Sequence, residues 1–129
     1  MKYLLDTHAL IWYSENDPKL PQKVKELFYN SNDEFYISIA TIWEMSIKIK
    51  KGTLIINRNF DEVIDLIFLS GFKFLPISYQ HTKELLKLPF YHKDPFDRML
   101  VTQTIYEDMT ILSKEDLFDS YGVKRYWIN

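Results

Sequence analysis

The chain has 129 residues and a formal net charge of −2, from 16 Lys and Arg against 18 Asp and Glu. That is the size of one domain (1–129) with no global basic field, so any nucleic acid must be met by a local cluster. Without cysteine there are no disulfides or thiolate metal sites, and with neither a signal peptide nor an apolar run near the roughly 20 residues of a membrane span, a cytoplasmic soluble domain with no membrane partner is expected.

Lys2–Leu5 is a short apolar run that stops at Asp6 and reads as a buried strand. Asp6-Thr7 can then cap a helix over Ala9–Glu15. Pro18 and Pro21 frame a turn before a helix over Pro21–Asn30, with Val24, Leu27 and Phe28 on one face. Phe35–Ser38 reads as a second strand, with Ser38 capping a helix from Ile39 to Lys50 that Gly52 closes. A helix over Asn59–Ser70 leads to a third strand, Phe72–Leu75, and a helix over Tyr79–Leu88 stops at Pro89. The helix Pro95–Glu107, a fourth strand Thr110–Leu112, a turn or helix near Glu115–Ser120 and a last strand Val123–Trp127 complete the chain. Apolar, non-alternating strands separated by helices predict a parallel sheet covered on both faces, a three-layer α/β/α sandwich. Aromatic residues make up 16% of the chain, an excess that suits buried interface as well as core.

The stretch Tyr91-His92-Lys93-Asp94-Pro95-Phe96-Asp97-Arg98 reads first as a helix start. Asp94 can cap it, Pro95 loses only an unpartnered N–H, and Asp97 can accept from the amides of the first turn. The same residues make a good place for phosphate and a hard cation at a positive helix end. Ligands of open parallel sheets collect beyond the carboxyl ends of the strands, which brings in Asp6 and the segment Ser113-Lys114-Glu115-Asp116. An acid directly after Leu4-Leu5 lies near the core and needs a donor or a cation. Glu44 lies in a helix apolar over most of its circumference, on one face with Lys48 and Lys51. It reads either as an ordinary pair with Lys48 or as a ligand with two lysines behind it to steer a phosphate backbone. Arg98 could pair with an acid or reach a phosphate oxygen, and His92 is either a plain loop histidine or part of that site. Asp6, Glu44 and Asp97 come from three segments that a parallel sheet can bring to one rim. Carboxylates that converge repel unless a divalent cation holds them, a pattern suited to metal-assisted phosphodiester hydrolysis.

Three blocks, Leu4-Leu5-Asp6-Thr7-His8-Ala9-Leu10-Ile11-Trp12, Trp43-Glu44-Met45-Ser46-Ile47-Lys48 and His92-Lys93-Asp94-Pro95-Phe96-Asp97-Arg98, resemble the hallmarks of PIN-domain ribonucleases, and more narrowly of VapC toxins. The closing Tyr121-Gly122-Val123-Lys124-Arg125-Tyr126-Trp127 is similar to that subgroup's ending, so the resemblance runs the whole length. It implies a five-stranded parallel sheet, a homodimer, Mg²⁺ or Mn²⁺ at the acids, RNA cleavage, and a cognate antitoxin lying over the aromatic helices Ala9–Glu15 and Asn59–Ser70. Carried over, Asp6, Glu44 and Asp97 fall on the family's acids, and Asp94 falls on an acid common in the subgroup. Thr7 and Ser38 resemble hydroxyl residues lining its site. The family's fourth Asp is replaced by Glu115, with Asp116 beside it, so either can supply the fourth ligand. The rival readings are a PIN-fold RNA-binding or scaffold module without catalysis, and a Mg²⁺-dependent phosphatase. The latter lacks a glycine-rich phosphate loop after the first strand.

Overall fold

Strand β1 (Lys2–Leu5) sits at the centre of a five-stranded sheet because its side chains are apolar on both faces. Leu4 packs into one core, while Tyr3 and Leu5 pack into the other. The structure, a computed structural model, describes every residue except Ser31 and the side chain of Asn30. The chain continues through α1 (Thr7–Ser14), α2 (Gln22–Asn30), β2 (Glu34–Ser38), α3 (Ile39–Lys51) and α4 (Phe60–Leu69). It goes on to β3 (Lys73–Leu75), α5 (Tyr79–Leu85), α6 (Pro95–Tyr106), β4 (Thr110–Leu112), a 3₁₀ turn (Asp116–Tyr121) and β5 (Lys124–Tyr126). All four strand pairings are parallel, in the order β3-β2-β1-β4-β5.

That order reverses direction at β1: the chain builds outward through β2 and β3, then returns to lay β4 on the other side. The crevice beyond the carboxyl ends of β1 and β4 is therefore the switch point where open α/β sheets hold ligands. Register fixes which residues reach it. Leu5 lies opposite Ile37 on one side and Leu112 on the other, so Asp6, Ser38 and Ser113 leave the sheet side by side.

One core gathers Leu10, Met45, Val63 and Ile67 from the helices around an aromatic cluster of Tyr3, Phe28, Phe35 and Phe72. The other packs Met99, Leu100 and Val101 of α6 and Phe118 of the 3₁₀ turn against Leu4 and Ile111. Much of the aromatic excess is therefore core, while Trp43, Phe68, Tyr79, Phe90 and Tyr91 remain exposed. The predicted elements all form, with shifted ends. Helix α1 begins at Thr7 rather than Ala9 because the Asp6 side chain accepts from the Ala9 amide and starts the helix at once. Helix α5 ends at Leu85, before Leu88 and Pro89. Gly52 closes α3 with φ 74°, a left-handed position that suits glycine.

Candidate active site

Asp6 is buried at the end of β1. Its Oδ1 accepts from Ala9 N at 2.8 Å, and its Oδ2 accepts from the Ser113 hydroxyl. Burial pushes this carboxyl up, and the two hydrogen bonds oppose that shift. Ser113 Oγ in turn accepts from Glu115 N at 2.9 Å, so one hydroxyl ties the end of β4 to Asp6 and shapes the turn that carries Glu115.

Glu44 has a side chain only 7% exposed, and both of its oxygens are taken. Thr7 Oγ1 donates to Oε1 at 2.7 Å, and Lys48 Nζ donates to Oε2 at 2.7 Å. Because Thr7 spends its proton on Glu44, the Thr41 hydroxyl 3.2 Å away is the donor in the Thr7–Thr41 pair. The Lys48 ammonium is held well protonated, first by its bond to Glu44 and further by the charges of Asp94 and Asp97. The pair with Lys48 read from the sequence forms, and it does so with Glu44 buried.

Asp94 caps α6, its Oδ1 accepting from Phe96 N at 2.8 Å and Asp97 N at 3.0 Å. Asp97 does not complete a capping box; its Oδ2 instead lies 3.0 Å from His92 Nε2. The tautomer follows from the other ring nitrogen. His92 Nδ1 accepts from Asp94 N at 3.1 Å, so in the neutral ring the proton is on Nε2 and is donated to Asp97. The ring lies nearly parallel to Phe118, and the His92 amide donates to the Tyr121 hydroxyl at 2.7 Å. His92 is therefore held in place against Asp97 and the start of α6. The Asp97 carboxyl is pushed up to about 7, by burial first and then by Asp94, Glu44, Asp6 and Glu115 in that order.

The structure also places Arg98, Ser38, Lys51, Glu115 and Asp116. Arg98 is buried, not free for phosphate: its guanidinium donates to the carbonyls of Pro89 (2.8 Å), Leu88 (3.2 Å) and His92 (3.4 Å). It also lies over the Phe90 ring at 3.9 Å. With three carbonyls to satisfy after α5 ends, the arginine is drawn inward and fastens the loop that carries His92 and Asp94. Ser38 is likewise fully buried, its hydroxyl accepting from Ala40 N at 3.0 Å as the cap of α3. Lys51 is exposed at the end of α3. Glu115 and Asp116 both line a cleft of about 320 Å³ with Asp6, His8, Trp12 and Lys114. The charge of Glu115 is felt at Asp6 and Asp97, while that of Asp116 acts on Arg125.

The acids thus share one field, but Asp6 is engaged by a backbone amide and a hydroxyl, Glu44 by a hydroxyl and an ammonium, and Asp97 by an imidazole. Among the described residues, no three acidic or imidazole groups stand close enough together to hold one ion as placed. Sequence reasoning did not anticipate Ser113 as the donor to Asp6, Thr41 behind Thr7, or Tyr121 beneath His92. A hydroxyl directly after β4, opposite Asp6 in the predicted sheet, was the only available signal.

The PIN domain family model matches residues 3–124. The chain belongs to the PIN domain family. Its PIN fold is shared with solved toxin–antitoxin structures. VapBC2 of Rickettsia felis, bound to a DNA fragment from its promoter, superposes at TM-score 0.73 with 17% identity, covering 98% of each chain. VapBC-1 of nontypeable Haemophilus influenzae superposes at 0.69 with 19% identity, over 98% of this chain and 97% of that one. DNA-bound VapBC of Salmonella typhimurium superposes at 0.70 with 16% identity, over 98% and 97%. Comparison with curated proteins finds no match.

Proposed function

We propose that this PIN domain is a metal-dependent endoribonuclease of the VapC type, the toxin of a bacterial toxin–antitoxin pair acting in the cytoplasm. The observation that carries the proposal is the charge imbalance around Asp97. Burial first and then four further carboxylates raise its pKa to about 7, and Lys48 and His92 are the cations or donors set against them. Hard carboxylate oxygens in excess of their counter-charges fit Mg²⁺ or Mn²⁺, so the donor set suits the group. Asp6, Glu44 and Asp97 would hold the ion, with Glu115 as the fourth acid. A cation there would neutralise charge on the phosphate and lower the pKa of a bound water.

The chain's own residues do the positioning. Ser113 fixes one face of Asp6, Thr7 and Lys48 fix Glu44, and His92 aims Asp97 through Nε2–H. Lys48 and Lys51, in the last turn of α3, would be the cations that meet RNA phosphates. The antitoxin is proposed to cover the face of α1 and α4, where Phe68 and Leu69 are exposed, and the chain is proposed to act as a homodimer. The likeness to chains solved as VapBC assemblies supports an antitoxin partner. The test is Asp6→Asn: RNA cleavage should vanish while the circular dichroism spectrum is unchanged. Undiminished cleavage by the variant overturns the assignment.

A further inference from the structure

Helices α3 and α6 each carry an aromatic residue directly before a site acid, Trp43-Glu44 and Phe96-Asp97. Successive helical positions diverge by about 100°, so an inward acid leaves its neighbour at the rim. The two aromatics meet across the helices, ring centroids 5.1 Å apart and planes at 83°. Trp43 is 57% exposed, whereas Trp12 and Trp127 are half-buried against each other at 5.9 Å. Beneath the pair lies an apolar cleft of about 210 Å³ walled by Ala40, Ile77, Leu85, Pro95 and Met99. An indole held edge-to-face keeps its orientation and presents a flat apolar surface at little cost in side-chain entropy.

We infer that Trp43, braced by Phe96, is a base-stacking platform that seats one unpaired base of the RNA beside the cleavage site. The inference rests on the nuclease reading above and deepens it. Two features favour single-stranded RNA as the occupant. The platform adjoins Glu44 and Asp97 in sequence, so a base placed on it brings its own phosphate to the acids. The same α3 then carries Lys48, Lys50 and Lys51 in its last turn, cations that suit a polyanion with flat apolar bases. Unstacked bases on aromatic side chains are the usual means of reading single-stranded RNA. The platform selects for unpaired over duplex RNA and tolerates different bases, because every base offers a π-face.

The experiment has two arms. In the Asp6→Asn background, a single-stranded RNA octanucleotide is titrated while tryptophan fluorescence is followed. Quenching is expected, and Trp43→Phe should remove most of it. In the active protein, Trp43→Ala should raise KM about 5- to 100-fold, the range set by loss of one stacked base, with kcat changed far less. One position of an abasic scan of the RNA should cost the wild type a similar factor and cost Trp43→Ala nothing further. Trp43→Phe should restore part of the loss. Unchanged KM and quenching in the variants overturn the inference while leaving the nuclease reading intact. So does a change of oligomeric state in sedimentation with RNA binding preserved, since the surface is then a protein contact. RNA neither bound nor cut by the wild type overturns both.

Discussion

Replacing Asp97 by asparagine should make the metal-free protein more stable, by an amount that depends on pH. In the folded chain this carboxyl titrates at about 7 instead of 3.8, because it is buried among four other acids. A raised acid pKa means that the native state holds the proton more tightly than the unfolded chain does. Its contribution is therefore most favourable at low pH, and it is lost as pH rises from about 4 to about 7, then stays level. Roughly three pKa units at about 1.4 kcal/mol each come to about 4 kcal/mol over the whole window. Between pH 5 and pH 8 the share is about 2–3 kcal/mol by the same relation. Asparagine keeps an acceptor for His92 Nε2–H and removes the charge. Urea unfolding of wild type and Asp97→Asn in EDTA should then show a stability gain that grows by that amount from pH 5 to pH 8. Saturating Mn²⁺ should reverse the order at pH 8, because ligand binding to the native state stabilises only the chain that keeps its site. A difference that is flat with pH would refute the crowding of charge around Asp97.

Three further variants test the supporting contacts. Lys48→Met leaves the buried Glu44 with Thr7 as its remaining side-chain donor, and should cost about 1–3 kcal/mol in urea unfolding. Arg98→Lys cannot span the carbonyls of Leu88, Pro89 and His92. It should lower stability by about 2–4 kcal/mol and speed amide hydrogen exchange in the loop that carries His92 and Asp94. Ser113→Ala removes a donor from the ionised form of Asp6, so the carboxyl should titrate still higher, read by NMR of the labelled side chain. An unmoved or lowered Asp6 titration would show that the hydroxyl does not stabilise the carboxylate.

The layered sheet was legible because Leu4-Leu5, Phe35–Ile37 and Ile111-Leu112 are apolar without alternation, and because caps and breakers punctuate the helices between them. Asp6, Glu44 and Asp97 stood out because an acid beside apolar neighbours is costly unless something compensates it. Arg98 was misread because its partners are backbone carbonyls. Sequence carries no mark of which carbonyls a loop leaves unpaired, and here the early end of α5 created that demand. Ser38 was read both as a helix cap and, by likeness, as a hydroxyl near the site, and its hydroxyl does cap α3. The choice between Glu115 and Asp116 was open in sequence because both follow the same strand end. The 3₁₀ turn separates them, turning the charge of Asp116 toward Arg125.

The most direct measurement is isothermal titration with Mn²⁺ of wild type against the Asp6→Asn/Asp97→Asn double variant, with RNA cleavage assayed on the same samples. Binding and cleavage should both be present in the wild type and both be lost in the variant. A wild type that binds no Mn²⁺, or a double variant that still binds and cuts, would contradict a metal-dependent nuclease centred on these acids.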